Sequence, residues 1–240
     1  MARHHEFLVQ LENFRHETTI AAQYLYSHMA VQHAACKSSK LLSRLNETPS
    51  FWSVYMAATQ TATYVTLGRI FDTKSPYNVD ALLNTFEANL NLFSRSSLET
   101  RKSEGTTTRP LWLDDYLLRA HYPTTKDVDR LRDHVKRYRE FYDRAVKPVR
   151  HKYLAHREKQ ELSEVQELYG RGKVKELWKT VAFLLSLYEA LLQQYINGRK
   201  PILRPIRYSV KNIYDHASER SGPHERIVRE TQTLMERLQQ

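Results

Sequence analysis

From Arg144 to Glu158 the chain reads Arg-Ala-Val-Lys-Pro-Val-Arg-His-Lys-Tyr-Leu-Ala-His-Arg-Glu, and three features that suit work on an anion coincide there. Basic residues crowd together, Arg144, Lys147, Arg150, Lys152 and Arg157, against few acids. Pro148 sits inside an otherwise helical segment, where it removes a backbone donor and is expected to kink or break the helix just before Arg150. An apolar stripe runs on from Val149 through Tyr153 towards His156, four and then three residues apart, so His156 points inward or towards a partner. Arg150 and His156 are six residues apart, about 120° around a regular helix, and would not touch there. They can meet if the helix is distorted, or if two copies of it pool their groups at a dimer axis. The same residues also fit a plainer arrangement, with His156 satisfied at a half-buried helix end and the cations forming a solvated face.

Other chemistries find little support. Gly170-Arg-Gly172 alone does not make a phosphate-cradling loop, and no His-Glu-x-x-His is present. His28 and His33, like His151 and His156, are five apart, so neither pair shares a helix face as metal ligands four apart would. Cys36 lies three residues after His33, a spacing that chance packing in a helix supplies, and Asp114-Asp115 reads as helix-capping acid. Neither a metal site nor a cofactor is expected.

The elements that would position this stretch are helical. No Gly or Pro occurs from Arg3 to Leu45, where Phe7, Leu8, Leu11, Phe14, Ile20, Tyr24 and Leu25 recur at helical intervals in one long helix or two. Asn46-Glu47-Thr48-Pro49 is a stop and restart, with Thr48 as N-cap. Ser50 to Asp72 is apolar on most sides and predicts a buried central helix. A helix over 79–93 that could continue to Lys102, a polar loop over 103–110 and a short helix near 111–118 follow. Val128, Leu131, Val135, Tyr138, Tyr142, Ala145 and Val149 form one narrow stripe; Leu177, Val181, Leu184, Tyr188, Leu191 and Tyr195 form another, closed by Asn197-Gly198 as a left-handed cap. Two such stripes are expected to pack antiparallel in an up-down, all-α bundle over residues 1–200. Beyond Pro201 the chain turns basic and loses its period, so 201–240 reads as a helical arm packing on the bundle or on a partner.

Composition agrees with that class. The 240 residues include six Gly and eight Pro, too few turn formers for a sandwich of many short strands, and 41% hydrophobic residues, enough to bury a core. Lys and Arg number 37 against 27 Asp and Glu, a formal charge of +10 that draws the protein towards polyanions such as RNA, DNA or an anionic surface. With Cys36 alone, no intrachain disulfide can form, and a reducing, cytoplasmic setting is expected. The longest apolar stretch, 181–192, contains Ser186 and Glu189 and is too short to span a bilayer, and the first residues do not read as a secretory signal.

Arg150-His151-Lys-Tyr-Leu-Ala-His156 resembles the R-x(4–6)-H signature of the HEPN superfamily, with a polar residue directly after the Arg. Gly68-Arg-Ile-Phe-Asp72, Glu176-Leu-Trp and Ala190-Leu-Leu-Gln-Gln-Tyr-Ile-Asn-Gly198 resemble its abortive-infection U-type (AbiU-like) branch, so that the resemblance spans roughly residues 5–200. It implies a homodimeric helical bundle that brings two motifs into one cleft and, in active members, cleaves RNA without a metal: the 2′-hydroxyl attacks the neighbouring phosphate and leaves a 2′,3′-cyclic phosphate. Carried onto this chain, Arg150 would stabilise the charge building on the phosphorane, His156 would move protons at the attacking or leaving oxygen, and His151 would orient the cleft or share proton transfer. Tyr153 is a candidate hydroxyl contact, and Lys147, Lys152 and Arg157 would grip flanking phosphates. The implied partners are RNA, a second copy and an antitoxin or regulatory protein, with no membrane, and the implied role is that of a toxin or phage-defence effector. In some toxins of the superfamily a Tyr two residues after the His is modified by a nucleotidyltransferase; Glu158 stands there, so that control is not expected. The residues by themselves leave two rivals open: a non-catalytic helical module binding RNA, nucleotide or protein, and a structural or assembly protein.

Overall fold

The computed structural model of the chain describes residues 2–151, 173–216 and 222–240, and among these every regular element is helical. Helix α1 (Ala2–Lys37) is a single rod whose buried face follows Phe7, Leu11, Phe14, Thr18, Ala21, Leu25 and Ala30. Ile20 and Tyr24, expected on that stripe, lie beside it, with Tyr24 exposed. The rod ends because Ser38 leaves helical geometry and caps α2 (Ser39–Asn46), its Oγ accepting from Leu41 N at 3.1 Å. Pro49 opens α3 (Pro49–Phe71) after Thr48, as the sequence predicts.

Helix α3 is only half of the buried central helix expected. Burial begins at Thr59; before it Phe51 is 62% and Val54 68% exposed. Much of the buried half is threonine, not aliphatic. Thr59, Thr63 and Thr66 return their hydroxyl protons to carbonyls of the preceding turn, Tyr55, Thr59 and Ala62, which makes them tolerable inside.

The expected helix over 79–93 is interrupted. Helix α4 (Val79–Ala88) stops at Asn89, whose amide donates to Thr85 O at 2.8 Å; a 3-10 turn (Leu90–Phe93) and Ser94, the N-cap of α5 (Arg95–Ser103), follow. The break turns Phe93 onto Phe7 and Phe86, with ring centroids 5.2 and 4.7 Å apart and near-perpendicular planes. Helix α6 (Leu113–Arg119) carries Asp114 and Asp115 in its first turn, as helix-capping acids should sit.

The rod that carries the motif begins with α7 (Thr125–Phe141), fixed at its start by a capping box in which Asp127 accepts from the Thr124 backbone at 2.9 Å. Arg132 and Arg139 tie it to α4 through Glu87 and Asp80, each at 2.6 Å. Beyond Phe141 come a π turn (Tyr142–Val146) and α8 (Lys147–Val149), so the helix passes through Pro148. The expected break before Arg150 does not occur. The distortion sits one turn earlier, where Lys147 N–H bonds to Tyr142 O and the widened turn accommodates the proline ring. The extra residue also broadens the stripe, adding Phe141 and Val146 to the buried set.

Helix α9 (Val174–Asn197) follows its predicted stripe and ends at Gly198 with φ 57° and ψ 30°, the left-handed cap. It lies mainly on α1, while α7 lies mainly on α4, so the two striped helices share a smaller contact than the expected pairing. They meet through the Tyr138 and Phe183 rings, stacked at 4.0 Å, and share the core between them. The chain then runs extended along α9 to α10 (Val210–Asp215) and α11 (Pro223–Arg237); α11 packs on α1 and buries Val228 and Met235. The described part of the arm is thus seated on its own bundle. Among the described residues no helix is long and apolar enough to cross a membrane.

Candidate functional site

Arg150 continues the rod in helical conformation just after α8 and lays its guanidinium against the C-terminal end of α3. Nη2 donates to Asp72 Oδ2 at 3.0 Å, and Nη1 donates to Tyr142 Oη at 2.9 Å. The floor beneath is Gly68: a Cβ built there would stand 2.7 Å from Arg150 Cδ and 2.8 Å from Cζ, closer than side chains tolerate. Glycine at 68 leaves the space in which the Arg150 side chain lies, and a larger residue would have to displace it.

Each partner is itself held. Asp72 caps α3, its N–H bonding to Gly68 O at 2.8 Å and its Oδ1 accepting from Lys74 N at 3.0 Å. Tyr142, on the π turn, stacks on Phe71 with centroids 5.3 Å apart. The segment Gly68-Arg-Ile-Phe-Asp72 is thus a cradle: glycine makes room, Phe71 steadies the tyrosine, and Asp72 fixes the fork. The side chains of Arg150 and Asp72 remain 25% and 23% exposed, so the pair is partly open to solvent.

The Lys74 backbone N–H, joined by the Arg150 guanidinium, holds the Asp72 carboxyl below the usual carboxylate range against the cost of burial; His151 adds a smaller attraction. Burial pushes the Tyr142 phenol up, with Arg150 opposing it, so Tyr142 is neutral near pH 7. An arginine carries five N–H donors in a rigid fork. Asp72 and Tyr142 take one on each Nη and fix its orientation.

The structure thus brings together Arg150, its exposed neighbour His151, Tyr142 and Asp72. Lys147 is exposed on the rod and pairs with Asp143 at 3.1 Å. His156, Lys152, Tyr153 and Arg157 lie outside the described residues. In the sequence Tyr142 falls on the apolar stripe, and Gly68 and Asp72 stand only in a segment remote from the signature. A glycine and an aspartate four apart at the end of an apolar helix were the available signal. Among the described residues no group of three or more His, Cys, Asp or Glu is arranged to hold a metal ion. His28 instead bonds to Thr59 at 3.1 Å, and His33 packs edge-on against Tyr214.

No curated protein and no solved structure matches the chain. Residues 5–221 match the family described as AbiU2 (HEPN_AbiU2), a span that contains the cradle and the rod and runs past residue 200 into the arm. With nine-tenths of its length inside that match, the chain belongs to the AbiU2 family of HEPN proteins.

Proposed function

We propose that the protein is a HEPN-type endoribonuclease that cleaves RNA by 2′-hydroxyl attack at a cleft between two copies, in the service of abortive infection or toxicity. Family membership supports the reaction class, and one observation carries the reading to this chain: Arg150 of the signature is seated on Gly68 and fastened to Asp72 and Tyr142. A donor fixed before charge develops costs no reorganisation during reaction. Arg150 would meet the phosphorane oxygens, sharing its fork with Asp72, and His156 would act as the general acid or base. His151 would orient the cleft, and Lys147, Lys152, Arg157 and Tyr153 would hold the flanking chain. RNA is the proposed substrate and a second copy the proposed partner.

The same pairing favours a second reading, a non-catalytic module that holds RNA, nucleotide or protein, because Asp72 already offsets the Arg150 charge. Cleavage of RNA by the purified protein with chelator present separates the two. Under the first reading wild type yields 2′,3′-cyclic phosphate ends, and His156→Ala slows their appearance by about 10²–10⁴-fold. Identical products and rates from wild type and His156→Ala would defeat it. Binding without cleavage by any form, surviving Arg150→Ala, would establish the second.

A further inference from the structure

Helices α1 and α3 lie side by side in opposite directions. Ser27 bonds to Tyr55, His28 bonds to Thr59 at 3.1 Å, and Arg69 donates to Glu17 at 2.9 Å. Along this pair the chain changes character. It is 27% charged overall, yet neither 18–36 nor 49–68 contains an Asp, Glu, Lys or Arg. Inside a core that would be ordinary, but part of both stretches faces out. Tyr24 is 39% exposed, Phe51 62% and Val54 68%, and Ala57 and Ala58 are exposed as well. The Glu17–Arg69 ion pair marks the edge where charge resumes.

The outer side of α3 also has a period. Phe51, Val54, Ala58, Thr61 and Val65 are spaced 3, 4, 3, 4, the spacing of a seam that meets another helix. The first three are exposed and the last two half-buried. Ala58 and Thr61 are small enough for a second backbone to come close, and Phe51 and Val54 supply apolar area to remove from water. Apolar side chains scattered singly on a surface need no explanation; an uncharged face with a helical period marks an interaction site.

Charge selects the occupant. An acidic partner, protein or polynucleotide, gains nothing from a face without cations, and the chain offers it basic surface elsewhere. Two copies, each at +10, repel wherever their basic surfaces come together, and across this face they meet without that cost. A two-fold contact also requires a surface complementary to itself, which a neutral apolar seam is and a face of one sign is not. We propose that the outer face of α3, flanked by Tyr24 of α1, is the contact between two copies of this chain, with the two α3 helices running side by side in the same direction. The direction rests on the two-copy cleft proposed above; the contact itself does not. Helix α3 ends just past Gly68, where Arg150 is seated, so pairing in the same direction brings both arginine seats to one end. Reversed helices crossing at Ala58 would hold the two Gly68 positions about 30 Å apart.

Sedimentation of the full chain at micromolar concentration tests the contact. Wild type sediments as a dimer, and the double variant Phe51→Lys, Val54→Lys weakens association by at least about tenfold, because two apolar anchors are lost and like charges are brought together. Both positions are exposed, so the melting temperature holds and the loss is one of association. Leu118→Lys, at a side chain 75% exposed on α6, leaves the dimer intact. A monomeric wild type, a dimer that survives both lysines, or an equal loss from Leu118→Lys would overturn the contact, whatever RNA cleavage shows. The direction is read from Val54→Cys and Thr61→Cys, made separately in a Cys36→Ser chain that has no other cysteine. In the same-direction pair each variant cross-links to its own copy on oxidation. A reversed pair admits at most one of the two, since a disulfide needs Cβ atoms about 3.5–4.5 Å apart, and failure of either to cross-link overturns the direction. A double-lysine variant that is monomeric yet cleaves RNA at the wild-type rate would support the contact and sink the shared cleft instead.

Discussion

Gly68→Ala isolates the cradle, because residue 68 acts on the site only through the space it leaves. In an unconstrained helix the substitution is favourable by about 1 kcal/mol. Here the new methyl meets the Arg150 side chain from Cδ to the guanidinium, and the fork must lift off. Lifting it gives up the bonds to Asp72 and Tyr142, about 1.5 kcal/mol each at the low end for charged partners, a choice set by their quarter exposure. The balance is a net cost of about 2 kcal/mol, which lowers the melting temperature by about 4–8 °C for a chain of this size. The decisive measurement is the double-mutant cycle with Arg150→Ala, read by circular dichroism melts. Without the arginine the three nearest contacts of a Cβ at 68 are gone, and alanine there should stabilise by about 0.5–1 kcal/mol, a reversal of sign. If Gly68→Ala costs as much with Arg150 absent as present, the glycine is not there for the arginine and the cradle argument fails. RNA cleavage by Gly68→Ala should fall by about 10²–10³-fold, the loss expected when one donor to developing charge is misplaced.

Two further outcomes follow from the same packing. Asp72 has a folded pKa below its unfolded value of about 3.9, so its contribution is complete above about pH 4 and is lost as acid carries the pH through the lower folded value. Asp72→Asn should therefore melt lower than wild type at neutral pH, with the gap narrowing in melts below about pH 4; a gap constant with pH would contradict the assignment. Gly198→Ala combines left-handed backbone at φ 57° with a Cβ only 2.7 Å from Leu98 Cδ2, and should cost about 2 kcal/mol in urea unfolding; an unchanged midpoint would refute the strain.

Helix α9 was legible because its stripe and its cap agree: Leu177 to Tyr195 keep one face, and Asn197-Gly198 stops it where a left-handed residue is needed. Helix α3 was misread because apolar composition does not say whether a face is covered. Phe51 and Val54 are outside, while Thr63 and Thr66, polar by type, are inside because they bond back to their own helix. Pro148 announced a distortion correctly but not its place, since a helix can relieve a proline clash by widening the preceding turn. Arg150 was found from its neighbours in sequence. Its anchor Asp72 lies 78 positions away, and no local pattern connects the two. Tyr142 fitted the stripe so well that its hydroxyl went unnoticed.

The π turn makes chain length part of the site's specification. Its loop from Tyr142 O to Lys147 N spans one residue more than an α turn, so the helix beyond it is out of phase with the helix before it. Excising a single residue between Phe141 and Lys147 would swing everything downstream through about 100° and draw it back by about 1.5 Å. Arg150 would then leave its seat although every letter of the signature survived. Substitutions at the exposed positions Asp143 and Arg144 would leave the phase intact. For relatives of this chain, insertions and deletions between the capping box and the arginine are therefore the changes that disconnect the motif from its support.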